Sequence, residues 1–391
     1  MVRFALAATG GALVLIGAGE ALRLLTPSGR RPTSGRPARH APGRRRRVRR
    51  PAVAVTVPVA VAALAAAGVA VDRSGGAASG GGSVDPRCNG SVLLCDRPFD
   101  QVLLPATHNS MAAADRGFLN GNQPHGIVAQ LDAGYRGLLI DTYYGLRTQG
   151  SSLVVTDRAP LTAAQRRTQV AEVGEAAVRA ADELRRRAKV LGGTREVFLC
   201  HASCELGAEP FVPQLVAVRS WLQAHPREVV VLFIQDGVTP QDTVEAFRSA
   251  GLDRYAYTHT PGAAWPTLHQ MTESDQRMLV MAEQHAGAAP WYQQGFTLTQ
   301  ETPYSFSSVA RFSCRPNRGH PDSPLFLVNH FISPASVTAA ARANSRAVLL
   351  DRLRRCQRER HHTPNLVAVD FYDRGDVLHV VEELNGVRAP S

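Results

Sequence analysis

Glu228-Val-Val-Val-Leu-Phe-Ile234, closed by Gln235-Asp236, is the stretch on which the fold turns. Its apolar residues do not alternate with polar ones, so a strand built from them needs cover on both faces, as in a parallel sheet flanked by helices. The same pattern recurs at Gln101-Val-Leu-Leu-Pro, Arg136-Gly-Leu-Leu-Ile-Asp141, Glu196-Val-Phe-Leu-Cys-His201, Arg277-Met-Leu-Val-Met-Ala-Glu283, Leu325-Phe-Leu-Val-Asn-His330 and Asn365-Leu-Val-Ala-Val-Asp370. A weaker run around Gly295 to Thr299 makes an eighth strand. Helical patterns lie between them, the longest from Thr162 to about Leu191, where Thr162-Ala-Ala-Gln165 has capping-box form and Val170, Val173, Ala177, Ala181, Leu184 and Ala188 recur at helical spacing. Another runs from Phe211 to Gln223. Strands alternating with helices predict an α/β fold, a TIM-type (β/α)₈ barrel or a distorted form of it.

Residues able to do chemistry close these runs: His108, Asp141, His201, Gln235-Asp236, Glu283, His330 and Asp370. A barrel gathers such strand ends on one rim, where residues distant in sequence meet. Taken singly, each has a plainer reading. A His beside an apolar strand is commonly structural, and a strand-end Asp often caps the next helix.

The formal charge of +11 resembles a nucleic-acid footprint until it is located. Residues 1 to 83 carry thirteen Arg against Glu20 and Asp72, which accounts for the whole excess and leaves 31 basic and 31 acidic side chains beyond. A nucleic-acid partner is therefore not expected. Ala5 to Leu25 and Pro51 to Val71 are apolar runs on either side of the Arg-rich Arg30 to Arg50. A basic loop stays on the cytoplasmic side, so the second segment is expected to deliver the rest of the chain to the extracellular side of the plasma membrane, anchored or secreted. A two-helix anchor, a signal peptide cleaved near Ala67 or Ala70, and a later true start are all compatible with these residues. The predicted organisation is thus residues 1–71 as hydrophobic segments flanking a basic loop, 72–85 as a Gly/Ser linker, and 86–391 as the barrel.

All six cysteines follow the second apolar segment. On an oxidising side they are expected to form disulfides, and nearest-neighbour bridges Cys88-Cys95, Cys200-Cys204 and Cys314-Cys356 are one of the fifteen pairings that six cysteines allow. Zinc is the competing use, though the spacings are not those of paired CxxC knuckles.

Leu104-Pro-Ala-Thr-His-Asn-Ser110 resembles the opening of the phosphatidylinositol-specific phospholipase C X domain, whose first strand ends in a catalytic His followed by Asn or Asp. Gly134-Tyr-Arg-Gly-Leu-Leu-Ile-Asp141-Thr-Tyr-Tyr is similar to the second-strand motif of that family, and Leu199-Cys-His201-Ala-Ser-Cys-Glu-Leu-Gly207 to the segment that holds its second catalytic His. Trp221-Leu-Gln-Ala-His-Pro-Arg-Glu-Val-Val-Val, Leu325-Phe-Leu-Val-Asn-His-Phe331 and Asn365-Leu-Val-Ala-Val-Asp-Phe-Tyr372 resemble stretches of secreted microbial and fungal phospholipase C-like phosphodiesterases. The likeness runs from about Cys88 to Asn385, with 162 to 193 as an elaboration.

The resemblance implies a phosphoric diester hydrolase acting on a phospholipid at a membrane surface, an inositol lipid or a glycosylated relative, with no protein partner indicated. His108 would take the proton of an attacking hydroxyl, His201 would protonate the leaving alcohol, and Asp370 would orient His108. A cyclic phosphate would be the first product. It also implies how the phosphoryl charge is met. Calcium-dependent members carry an Asn after the first His and an Asp late in the second-strand motif, which Asn109 and Asp141 match. Leu139 stands where a Glu would be expected, and Gln235 or Asp236 where another Glu would stand, so a weak Ca²⁺ site of Asn109, Asp141 and Asp236 is expected. Without a metal, a rim Arg is required, with Arg147, Arg158 and Arg311 the nearest choices. Glu283, His330 and Arg147 are further rim candidates for substrate. The rival readings are another phosphodiesterase on a related barrel, and a non-catalytic membrane-tethered lipid-binding domain. A Ser lipase is a third and poorer reading, since no GxSxG elbow occurs.

Overall fold

The computed structural model describes residues 85–387, apart from 191, 193 and 194. The two apolar segments, the basic loop and nearly all of the Gly/Ser linker lie outside the described residues. Among the described residues no helix is long and apolar enough to cross a membrane. Those residues form the strands β1 (Leu104–Thr107), β2 (Gly137–Arg147), β3 (Val154–Thr156), β4 (Glu196–Leu199), β5 (Glu209–Pro210), β6 (Val230–Gly237), β7 (Met278–Ala282), β8 (Tyr292–Gln294), β9 (Thr299–Glu301), β10 (Leu325–Asn329) and β11 (Leu366–Val369).

The apolar runs become parallel staves in the order β8-β7-β6-β2-β1-β11-β10-β9. Each stave lies beside its successor in this series, which is the cyclic order of a (β/α)₈ barrel, opened between β8 and β9. Helices Ile127–Asp132, Phe211–Ala224, Pro240–Ala250, Arg346–Arg360 and Val377–Leu384 cover the connections from β1 to β7 and from β10 onward. Between β7 and β10 the longest helix is Gly295–Leu298, so the opening falls where helical cover is thinnest.

Two strand assignments change. The Gly295 to Thr299 run is a helical turn leading into β9, and the staves on either side of it are β8 and β9. The run ending at His201 is not a stave at all. As β4 it pairs antiparallel with the far half of β2, Thr142 opposite Leu199 and Gly145 opposite Glu196. At eleven residues β2 outruns its barrel neighbours, and the overhang takes β3 and β4 as antiparallel partners while β6 becomes the next stave. Glu196 is exposed and Val197 half-buried, as fits a strand outside the doubly covered barrel.

Within the staves the two-residue period of a strand sorts side chains. Leu104, Ala106, Val231, Phe233, Leu279, Met281, Leu325, Leu327, Leu366 and Ala368 share the barrel-interior cluster. Their alternates Val230, Leu232, Ile234, Met278 and Val280 pack with Phe211, Leu215, Trp221 and Phe247 of the covering helices. On β10 and β11, Phe326, Val328, Val367 and Val369 pack outward against Leu349, Leu353 and Val380. Gly137 is required at the start of β2, because a Cβ there would stand 2.5 Å from that of Ala106.

The long helical region is a hairpin of two helices, Ala163–Val173 and Glu175–Arg187. The Thr162–Gln165 capping box forms, and Gly174 breaks the run at φ +87°, a left-handed value that costs Gly nothing. All six cysteines are bridged, Cys88–Cys95, Cys200–Cys204 and Cys314–Cys356, so the nearest-neighbour pairing is the one that forms.

Candidate active site

The period that fills the barrel also selects the rim. On β1 the interior set 104, 106 continues to His108; on β2 it reaches Asp141; on β6, Gln235; after β7, Glu283; on β10, Asn329 and then Phe331; after β11, Asp370. His108, Asn109, Asp141, Gln235, Glu283, Glu301, Asn329 and Phe331 line one cavity of about 570 Å³.

His108 is held on three sides. Its Nδ1 lies 2.9 Å from Asp370 Oδ1, and Asn122 Nδ2 donates to the same oxygen at 3.1 Å. Phe331 stacks on the imidazole with centroids 3.5 Å apart and planes 3° from parallel. Gln123 Nε2 donates to the carbonyls of His108 and Val369, tying the ends of β1 and β11 together. With Nδ1–H given to a buried carboxylate, Nε2 is left as the basic nitrogen.

His201 reaches the same centre from the β4 side, its ring centroid 6.5 Å from that of His108. The Cys200–Cys204 bridge closes the turn that carries it, and Glu205 secures that turn by accepting from Ser203, Thr156 and Arg185. Asn109 Nδ2 and Glu172 Oε1 approach His201 Nε2 at 2.9 and 3.3 Å. Burial alone would push the imidazolium below its ordinary range, but the hydrogen bond and charge of Glu172, with Asp141 and Asp370, outweigh it and raise the ring's pKa. Burial likewise works to raise the Glu172 carboxyl, and the bond to and charge of His201 hold it below its usual range. The residues that follow His108, His201 and Asp370, namely Asn109 (φ +47°), Ala202 (φ +58°) and Phe371 (φ +48°), all adopt left-handed backbone. Such turns cost non-Gly residues on the order of 1 kcal/mol each and persist where surrounding contacts fix them.

Other sequence candidates fall elsewhere. His330 and Asp236 sit one residue out of phase with the interior set and so point outward. His330 is buried against the helices, Nε2 on Ala343 O at 2.9 Å and Nδ1 3.4 Å from Arg352, and burial followed by the Arg352 charge pushes it down to about 3. It is a structural neutral His, not a rim group. Asp236 accepts from the backbone of Gln284 and His285 and from His285 Nδ1, so it organises the β7–β8 loop and is not a ligand in the cavity. Arg147 ends the β2 overhang, exposed and paired with Glu196 at 2.7 Å, and does not line the cavity. Nor do Arg158 or Arg311.

The cavity's cation is instead Arg318, which pairs with Glu283 and, at 2.6 Å, with Glu301. Burial opposes its charge, yet the two carboxylates hold its pKa up; burial raises Glu283, against the pull of Arg318. Nothing in Pro316-Asn-Arg318-Gly marks it in the sequence. Glu172 was equally hidden, inside a helix read as elaboration.

A hard cation has a partial donor set here. Asp141 is buried, its Oδ2 has no hydrogen-bond partner, and burial followed by Glu172 and Glu283 raises its pKa against the opposing charge of His201. Asn109 and Gln235 line the cavity with it. Among the described residues no three His, Cys, Asp or Glu side chains converge as a metal cluster, so only a site using amide oxygens, water and substrate fits.

The PI-PLC_X family model, described as PI-PLC X 1, matches residues 184–385, just over half of the chain. The chain belongs to the PI-PLC X domain family. The matched span includes His201 and Asp370 and begins after His108. A PI-PLC X domain-containing protein 1 of Arthroderma benhamiae is 27% identical over 326 residues, covering 77% of this chain and 90% of the relative. A PI-PLC X domain-containing protein of Arabidopsis thaliana is 26% identical over 349 residues, covering 81% and 68%. Among solved structures, the phosphatidylinositol-specific phospholipase C of Listeria monocytogenes aligns at 14% identity and a TM-score of 0.42, over 76% of this chain and 96% of that one.

Proposed function

We propose that this chain is a phosphodiesterase of the phospholipase C type that cleaves an inositol phospholipid, or a glycosylated relative, through a cyclic phosphate. The observation that carries the reading is the pair of imidazoles at one centre, ring centroids 6.5 Å apart, His108 backed by Asp370 and His201 held by the carboxylate of Glu172. His108 Nε2 takes the proton of the hydroxyl neighbouring the phosphodiester, and that oxygen forms the new bond to phosphorus. The phosphorus–oxygen bond to the glycerol breaks in line, and His201 gives its proton to the departing oxygen, yielding diacylglycerol and the cyclic phosphate. Asp370 stabilises the His108 imidazolium formed on the way.

We further propose that Asp141, with the oxygens of Asn109 and Gln235, holds a weakly bound Ca²⁺, which when bound would neutralise phosphoryl charge. The working compartment we assign is outside the cytoplasm, a reading supported by the complete pairing of the cysteines.

The test is phosphorus NMR of products from phosphatidylinositol, glycosylphosphatidylinositol and phosphatidylcholine in mixed micelles, with wild type, His108→Ala and His201→Ala. An inositol lipid giving a cyclic phosphate, with each variant reduced on the order of 10²–10⁴-fold, is expected. No turnover of any lipid, or full activity in His108→Ala, refutes the proposal.

A further inference from the structure

The helical hairpin inserted between β3 and β4 is not needed to close the barrel, yet it reaches the active centre. On the helix Ala163–Val173, Thr168, Ala171 and Glu172 fall three and four residues apart, on one face, and that face forms part of the cavity wall. Gln169, three residues before Glu172, donates Nε2 to the carbonyl of Ala202 at 2.7 Å, the residue directly after His201. Val173, Val178 and Ala181 pack on Ala202 and Leu206, Asn120 Nδ2 donates to Val173 O at 3.3 Å, and Arg185 of the second helix bonds Glu205 at 2.8 Å. The hairpin is thereby fixed to the His201 turn through backbone, apolar and ionic contacts at once.

Glu172 is the side chain this arrangement delivers. It stands 3.3 Å from His201 Nε2 and lines the cavity, while His201 itself is only 3% exposed. Asn109 Nδ2 lies 2.9 Å from the same nitrogen, but an amide N–H bonds it only when it is unprotonated, whereas a carboxylate takes its proton, so Glu172 is the partner of the protonated ring.

We propose that Glu172 is the positioning residue of His201: the inserted helix supplies the carboxylate that orients this imidazole toward the cavity, as Asp370 orients His108. The inference rests on the reading of His201 as the group that protonates the leaving alcohol. It assigns the hairpin to the catalytic apparatus, and the two histidines then receive their carboxylates from different parts of the fold, one from the end of β11 and the other from outside the barrel.

The experiment compares full-length wild type, Glu172→Gln and Glu172→Ala on two esters of one head group, phosphatidylinositol and 4-nitrophenyl inositol phosphate. The first leaves as an alkoxide in need of a proton, the second as a stable phenolate. Glu172→Ala is expected to lower kcat on phosphatidylinositol on the order of 10- to 100-fold with KM little changed, to lower it less than about threefold on the nitrophenyl ester, and to be partly rescued in Glu172→Gln. Equal losses on both esters, or a change confined to KM, overturn the assignment, since a wall residue acts without regard to the leaving group. A second readout does not depend on turnover. The imidazole ¹⁵N signals that disappear in His201→Ala should shift in Glu172→Gln, and signals that stay in place overturn the inference. If wild type cleaves neither ester, the proposed function fails while the spectrum still decides the role of Glu172.

Discussion

Replacing Asp370 by Asn tests the dyad with almost no change in shape. Asp370 is buried, and its Oδ1 accepts from both His108 Nδ1 at 2.9 Å and Asn122 Nδ2 at 3.1 Å. An amide oxygen can accept the same two bonds, so the fold and the His108 tautomer are retained while the charge is lost. A hydrogen bond to a charged group contributes about 1.5–3 kcal/mol against about 0.5–1.5 for a neutral one. The imidazolium that forms on His108 during attack therefore loses roughly 1 to 1.5 kcal/mol, and at about 1.4 kcal/mol per decade kcat should fall about 5- to 10-fold. Asn122 is what keeps the oxygen turned toward His108. Asp370→Asn combined with Asn122→Ala frees the amide to present its nitrogen, which forces the wrong tautomer, and the loss should then approach the order of 10⁴ seen when triad carboxylates are neutralised. Initial rates on phosphatidylinositol micelles, with circular dichroism to check folding, measure both. A single variant within about twofold of wild type, or a double variant no worse than the single, would refute the role given to Asp370.

Three further outcomes are expected. With calcium removed by chelator, turnover should fall and return on titration into the weak, extracellular range of affinities, and Asp141→Asn should need more calcium still; full activity in chelator with Asp141→Asn like wild type sinks the metal site. Arg318→Met leaves Glu283 and the buried Glu301 without their cation and should cost about 3 kcal/mol in urea unfolding, a loss Glu283→Gln should partly relieve; an unchanged midpoint contradicts the ion-pair network. His330 supplies a pH dependence whose sign follows from its neutral burial. Its folded pKa lies near 3 against 6.5 unfolded, so between those values the unfolded chain binds the extra proton and stability falls as pH falls, by about 2 kcal/mol at roughly pH 5. His330→Gln should flatten that part of the curve relative to wild type, and an identical slope would mean the ring is not buried neutral.

Much of the barrel was legible because its staves are apolar on both faces, a pattern that few other structures share. The reading failed where burial was one-sided or short. Val197 and Phe198 have the composition of a stave, but they pair with the overhang of β2, and nothing local distinguishes an antiparallel partner of four residues from a buried parallel one. β8 and β9 are three residues each, below the length at which a run stands out. At the rim, the decisive variable was parity. His108, Asp141, Glu283 and Asp370 are in phase with the barrel interior, whereas His330 and Asp236, equally plausible as residue types, are one position off, His330 against the helices and Asp236 under the β7–β8 loop. Counting in twos from Leu325 would have passed over His330 and found Asn329 and Phe331. Glu172 and Arg318 obey no such rule, because the positions of an inserted helix and a long loop are set by tertiary contacts alone.

Those two hidden residues explain how an interrupted barrel keeps a defined site. β8 and β9 form no ladder with each other, so backbone hydrogen bonds do not hold that side of the rim. Arg318 spans it instead. Its guanidinium takes Glu283 after β7 and Glu301 at the end of β9, and Asn329 Nδ2 on β10 donates to Glu301 at 2.9 Å. A side-chain network thus replaces the missing strand pair, and the same atoms form the polar wall of the cavity facing the histidines. Under the proposed function, ligand recognition and barrel closure are coupled there. A substrate group that competes with Glu283 or Glu301 for Arg318 loosens the tie between β7 and β9, whereas one that donates hydroxyls to the carboxylates leaves it intact. Under the proposed function this wall is expected to favour a neutral polyol over a head group bearing added phosphates, since extra phosphates would meet Glu283, Glu301 and Glu172 around an already paired arginine.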